Sequence, residues 1–282
     1  MRRRTLLVLP MAGLVPAVVS ACSEESAVPT SDPSTPTATA TPTAAGGERI
    51  TYGSDPSQFA ELHRPGGGAS RGVVVVIHGG FWKSAYDYTL GTPLAVDLAA
   101  RGWTAWNIEY RRVGNGGGTP ETFDDVAAAI DALADVPDLD LSTVVTLGHS
   151  AGGHLAVWAA GRPDTGVAVT HAISQAGVLD LVMSDRTGLG GGAAAALLGH
   201  PAGRRDKAWD PQQQIPIDVP VWCVHGIDDA IVPLGQSEGY VVDATAAGAQ
   251  AEIVRVEGDH FVVIDPDSDA WAAQVEILDG IA

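Results

Sequence analysis

Two cysteines, Cys22 and Cys223, are all that the 282 residues contain, so a disulfide framework does not hold this chain together. Cys223 lies inside the apolar run Val219–Val224 and reads as a small buried hydrophobe rather than a reactive thiol. Basic residues are also scarce: 16 Lys and Arg stand against 34 Asp and Glu, a net charge of −18. A field of that sign repels phosphate backbones and anionic lipid heads, which excludes nucleic acid and membrane-surface electrostatics as partners. No H-x-x-x-H pair and no paired Cys/His spacing appears, so no metal is expected. The glycine patterns that cradle nucleotide phosphates are missing as well. What remains is 45% hydrophobic, the composition of a folded globular protein.

The first fifty residues read as address and tether. Arg2–Arg4 precede the apolar run Leu6–Val19, which Pro10 and Pro16 interrupt and which is too short for a comfortable membrane span. Val19-Ser20-Ala21-Cys22 then resembles the bacterial lipobox, which implies a lipoprotein signal peptide over 1–22, lipidation at Cys22, and export to the extracytoplasmic face of a bacterial membrane. Arg3 to Leu7 also resembles a twin-arginine export signal, so the export route stays open between that and the general secretory one. Residues 23–48 are Ser, Thr, Pro and Ala with almost no large apolar side chain. Such a segment cannot offset its ordering entropy, and a flexible linker is expected.

From 49 to 282 one α/β domain is expected. Val73–Ile77, Trp103–Ile108, Thr143–Leu147, Ala168–Gln175, Val219–Val224 and Ala251–Val256 are near-continuous apolar runs, as strands of a parallel sheet covered on both faces require. Helical patterns alternate with them near Tyr88–Ala100, Ala151–Ala160, Gln236–Ala246 and Ala270–Ile281. The alternation gives a doubly wound, mostly parallel sheet. A further helix is expected to start at Thr119 as N-cap with Pro120 in its first position, and to bury Phe123, Val126, Ala127, Ile130 and Leu133. Ser184–Pro216 breaks the rhythm with Gly188–Gly192 and Gly199-His200-Pro201, and is either a cap over a site or a plain connecting excursion.

Four short stretches carry chemistry. Gly148-His149-Ser150-Ala151-Gly152 joins a strand to a helix, the setting in which G-x-S-x-G forms a nucleophile elbow; the turn needs small residues two positions either side of the serine. His78-Gly79-Gly80-Phe81-Trp82 follows a strand, and its glycines suit an oxyanion hole, in which Gly79, Gly80 and Ala151 are the expected donors and Phe81 a rival. His225 to Pro233 follows a late strand and offers two acids, Asp228 and Asp229. His260 follows the last strand on a loop from which a general base can reach the serine. The order serine, acid, histidine is that of the α/β-hydrolases. His78 and His225 read as loop buttresses, and His149 and His154 flank the elbow. His63, His171 and His200 have no evident partner.

Together His78–Trp82, Gly148–Ala156, His225–Pro233 and Gly258–Phe261 resemble the esterase and kynurenine formamidase branch of the α/β-hydrolases. The resemblance runs from Arg71 to the C-terminus. It implies a serine hydrolase acting through an acyl-enzyme on Ser150, with Asp229, by its spacing from His225-Gly226, as the acid and His260 as the base, on a small-molecule ester or amide and without a cofactor. The glycine-rich stretch Gly114–Gly118 does not match a formamidase pocket, and an exported enzyme has no reason to meet a cytosolic tryptophan metabolite. A general carboxylesterase is therefore expected ahead of a formamidase. Behind these stand a peptidase, for whose additional N-terminal propeller the segment from Arg49 has no room, and a binding protein that keeps the fold without turnover.

Overall fold

The computed structural model describes residues 47–67 and 69–281. The expected leader, Cys22 and nearly all of the expected linker lie outside the described residues. The chain order is β1 (Glu48–Thr51), β2 (Phe59–His63), β3 (Val73–Ile77), α1 (Thr92–Ala100), β4 (Thr104–Ile108), α2 (Glu121–Asp131), β5 (Val144–His149) and α3 (Ala151–Ala160). It continues with β6 (His171–Gln175), α4 (Leu181–Arg186), α5 (Ala193–Leu198), α6 (Pro211–Gln214), β7 (Val221–Gly226), α7 (Gly235–Ala246), β8 (Ala251–Val256) and α8 (Asp269–Ile281).

The eight strands form one sheet in the order β1-β2-β4-β3-β5-β6-β7-β8. Strands β3 to β8 run parallel, and β1 and β2 add an antiparallel edge. This is the α/β-hydrolase fold expected from the sequence. All five residues of β3 are buried, and their alternation splits the core. Val73, Val75 and Ile77 pack with α2, α3 and α5, whereas Val74 and Val76 face α1 and α8. A valine run with no polar residue is what a central strand covered on both faces requires.

Several boundaries differ from expectation. Both β1 and β2 were unforeseen, and β1 takes in Glu48, the last residue assigned to the linker. Trp103, Thr143, Ala168–Thr170 and Val219–Pro220 fall outside the strands, which extend instead to His149 and Gly226 at the other end. The helix expected over Tyr88–Ala100 is a short 3-10 turn, Tyr88–Leu90, followed across Gly91 by α1. Thr119 does not cap α2. Pro120 occupies the cap position, the Thr119 hydroxyl is buried without a partner, and the first-turn amide of Thr122 is satisfied by the Gly118 carbonyl at 2.7 Å. The expected apolar face is otherwise present: Phe123, Val126, Ile130 and Leu133 are fully buried, and Ala127 is half-buried.

The Ser184–Pro216 excursion is anchored against α3. His154 Nε2–H donates to the Trp209 carbonyl at 2.8 Å, Trp158 Nε1–H donates to the Ala208 carbonyl at 2.8 Å, and the Phe123 and Trp209 rings lie 4.7 Å apart. Leu197 and Leu198 of α5 join the core beside α2.

Candidate active site

The elbow is built by close backbone approach. Ser150 sits between β5 and α3 at φ 56 and ψ −116, a conformation that costs a non-glycine residue energy and persists because its surroundings enforce it. A Cβ on Gly148 would stand 2.1 Å from the Gly152 carbonyl oxygen, and one on Gly152 would stand 2.0 Å from the Ile77 carbonyl oxygen. The glycines flanking the serine are therefore dictated by space. The Ser150 amide donates to the Gln175 carbonyl at 2.8 Å, which ties the elbow to β6.

Asp229, on the loop after β7, receives four donors. Its Oδ1 accepts the amides of Ile231 and Val232, each at 2.8 Å. Its Oδ2 lies 2.6 Å from His260 Nδ1 and 3.1 Å from His225 Nε2. Burial of this carboxylate opposes its charge, but the hydrogen bonds from His225, His260 and the Val232 amide outweigh that penalty and hold the group well below the ordinary carboxylate range. Asp228 is exposed, and its amide donates to the Gly258 carbonyl at 3.0 Å.

These contacts fix tautomers. A carboxylate only accepts, so His260 carries its hydrogen on Nδ1 and leaves Nε2 as a lone pair. His225 Nε2 also lies 2.9 Å from the Val232 carbonyl, so it bears a hydrogen, while its Nδ1 accepts from the Ser237 hydroxyl at 2.8 Å. The expected loop buttress is thus specifically a second hold on Asp229.

Ser150 and His260 line one pocket of about 100 Å³ with Gly80, Phe81, Tyr86, Leu90, His149, Ile231 and Phe261. Among the described residues no hydrogen bond joins Ser150 to His260; catalytic hydrogen bonds of this kind commonly tighten only when substrate binds. The far larger hollow at the opposite end of α3, about 870 Å³ between Arg162 and Asp218, contains none of these residues. The Ser184–Pro216 excursion gives no residue to the Ser150 pocket, although Gly190 abuts the Phe81 ring from outside and its carbonyl accepts from Lys83 Nζ at 2.8 Å.

The proposed oxyanion residues converge on the serine unevenly. Gly80 and Phe81 form pocket wall, whereas Gly79 packs behind it, where a Cβ would lie 2.7 Å from the His149 carbonyl and 3.1 Å from Ser150 Cβ. Phe81 and Trp82 both take positive φ, at 52 and 54 degrees. Beneath them the Tyr110 hydroxyl donates to the His78 carbonyl at 2.7 Å and the Tyr110 and His78 rings stack with centroids 4.4 Å apart, beside a buried Glu109–Arg112 pair at 2.8 Å. Val113, just before the unmatched stretch Gly114–Gly118, belongs to this support: its amide donates to the Trp82 carbonyl at 2.8 Å and its carbonyl accepts from the Ser84 amide at 3.0 Å, while a Cβ on Gly114 would stand 2.5 Å from Ser84 Oγ.

The other histidines are partnered unevenly. His154 is buried in the core, and burial pushes it down to about 4. His171 Nδ1 meets the Thr170 hydroxyl, and His200 approaches Asp206 at 3.4 Å. His63 faces Glu61 at 3.8 Å, too far for a hydrogen bond, and its Nε2 is buried without a hydrogen-bond partner. Among the described residues no three His, Cys, Asp or Glu side chains cluster as metal ligands would.

The profile of the BD-FAE family matches residues 62–241, a span holding the Gly-Gly loop, the elbow and the acid. The chain belongs to the BD-FAE family. This BD-FAE member is also 28% identical over 195 residues to the uncharacterized protein YfhR of Salmonella typhimurium, covering 67% of this chain and 64% of that one, less than two thirds of the relative's length. Among solved structures it is similar to a truncated carbohydrate esterase from gut microbiota, with a TM-score of 0.70 at 20% identity over 84% of this chain and 96% of the other. It is likewise similar to the apo form of esterase 2 from Thermogutta terrifontis, with a TM-score of 0.70 at 25% identity over 85% and 94%. The same esterase is known phosphonylated by sarin, with a TM-score of 0.70 at 24% identity over 85% and 95%.

Proposed function

We propose that this BD-FAE member is a serine hydrolase cleaving small carboxylic esters, with Ser150 as nucleophile, His260 as general base and Asp229 as the acid that orients it. The observation that carries the reading is the 2.6 Å contact of a strongly acidic, four-times-bonded Asp229 with His260, whose free Nε2 belongs to a ring sharing a pocket with a strained Ser150. His260 Nε2 takes the Ser150 hydroxyl proton, and Oγ attacks the ester carbonyl. The developing oxyanion is held by amides of Gly79, Gly80 and Ala151, with Phe81 competing for the place of Gly79. The imidazolium then gives its proton to the departing alcohol, leaving an acyl-enzyme. A water deprotonated by His260 adds to that ester, and the proton returns to Ser150 as the acid departs.

The pocket's size favours a small acyl group. Tyr86, Ile231 and Phe261 are 47%, 37% and 52% exposed at its mouth and offer apolar surface to the rest of the substrate. The esterases whose structures it resembles, one of them a carbohydrate esterase, support ester over amide chemistry. Turnover of 4-nitrophenyl acetate, longer acyl esters and N-formylkynurenine by the protein and by Ser150→Ala tests the reading. Serine-dependent cleavage of esters alone is the expected result; equal or better cleavage of the formamide transfers the assignment to an amide hydrolase.

We also propose, on Val19–Cys22 alone, that the enzyme is exported and lipid-anchored through Cys22.

A further inference from the structure

His149 is the freely variable position of the G-x-S-x-G pattern, yet its side chain is buried and lies between all three working loops. Its Nε2 is 2.9 Å from the backbone carbonyl of His260. A carbonyl only accepts, so Nε2 bears the hydrogen and Nδ1 is bare; that nitrogen is buried without a partner on the side of Gly79, where a Cβ would come within 2.9 Å of it. The His149 and His260 rings stand 4.5 Å apart. We propose that His149 is the positioning residue of the proton transfer, tying the backbone of the base to the residue next to the nucleophile.

The inference rests on the reading of Ser150 and His260 as nucleophile and base. Asp229 fixes the rotation of the His260 ring, but nothing in that bond fixes the distance between the base loop and the elbow. The His149 hydrogen bond spans that gap with one rigid ring, which leaves His260 Nε2 little freedom to drift from Ser150. The titratable groups around the ring are His260, Asp229 and His225. Burial first, and then the charge of His260, push His149 down to about 3, so it stays neutral while the neighbouring ring gains a proton. A misplacement near 1 Å costs on the order of 100-fold in rate.

The test compares His149→Gln, whose amide reaches the Nε2 position and donates, with His149→Phe, which keeps a ring without a donor, and runs Ser150→Ala alongside. With a short nitrophenyl ester, His149→Phe should lose roughly 10- to 100-fold in kcat with KM little changed, and should be labelled by a fluorophosphonate at a similarly reduced rate. His149→Gln should recover most of both. A His149→Phe protein that melts like the parent and keeps its kcat, or a Gln variant as slow as the Phe one, overturns the inference. Should His149→Phe not fold, nitrogen-15 NMR of the unaltered protein decides: Nε2–H with a bare Nδ1 is expected, and an Nδ1–H tautomer overturns it. If Ser150→Ala keeps its turnover, the site reading itself falls; if only His149→Phe is unaffected, the positioning role alone falls.

Discussion

Gly148 and Gly152 approach so closely across the elbow that a Cβ on the first would stand 2.1 Å from the carbonyl oxygen of the second. The G-x-S-x-G pattern is therefore a packing requirement of this fold before it is a catalytic one. Gly152→Ala places a methyl 2.0 Å from the Ile77 carbonyl, between backbones that have nowhere to move. It should destabilise by about 3 kcal/mol or more, a fall of roughly 10 °C in Tm. Gly239→Ala, in α7 with open space around it, is the control and should be neutral or slightly stabilising. Thermal melts of the two variants check the contrast.

Asp229→Asn should lower kcat by on the order of 10⁴-fold, because the amide can present an N–H to His260 and favour the wrong tautomer. Asp228→Asn, altering an exposed side chain, should stay near the parent. Steady-state assays of both rank the two acids, and the reverse order reassigns the acid.

The second hold on Asp229 has its own consequence. His225→Phe removes the donor at 3.1 Å and leaves the Ser237 hydroxyl without its acceptor. The Asp229 carboxyl should then rise from its depressed position, and kcat should fall, more steeply at low pH than in the parent. A kcat–pH profile between pH 5 and 8 measures this.

Stability should fall on acidification. His149 and His154, pushed by burial to about 3 and about 4, stay neutral in the fold, whereas on unfolding each takes up a proton below its ordinary value near 6.5. Their contribution is complete above about pH 6.5 and is lost as pH falls toward their folded values, at roughly 1.4 kcal/mol per pH unit each. Asp210, raised to about 6 by burial, acts oppositely: the folded state holds its proton more tightly, which stabilises as pH falls below 6. The net expectation is a loss on the order of 1 kcal/mol per pH unit between pH 6 and 4.5. Asp210→Asn should steepen it, and urea unfolding at several pH values reads both slopes.

Cys223 should resist alkylation in the native protein at pH 8, since burial pushes its thiol up to about 12 and its side chain is fully covered. Labelling only after unfolding is the expected outcome.

If Cys22 is lipidated, labelled palmitate should enter the protein in a bacterial host and be lost in Cys22→Ser. Equal labelling of that variant contradicts the anchor.

Much of this was legible in the chain because the steric demands are local. A valine-rich β3, a strand running into glycine-flanked Ser150, and Asp229 and His260 on loops after the last strands leave few ways to fold and one order of residues. The illegible parts depend on contacts far apart in sequence. Strands β1 and β2 are short and carry polar residues, and they exist because β4 offers β2 an edge and β2 in turn offers one to β1. Thr119-Pro120 has the local signature of a helix start, but the amides of α2 are met by the Gly118 and Pro120 carbonyls instead. His149 and His225 resemble any other histidine until the loop of His260, 111 residues from one, and the carboxylate of Asp229 are brought beside them.

The most direct test of the central assignment is the reaction of the protein and of Ser150→Ala with a fluorophosphonate, followed by peptide mass spectrometry and by turnover of a short nitrophenyl ester. One adduct is expected, on Ser150, with ester turnover lost in step with its formation and at least about 10⁴-fold lower in Ser150→Ala. Near-full turnover by Ser150→Ala, or an adduct on another residue with Ser150 untouched, would contradict it.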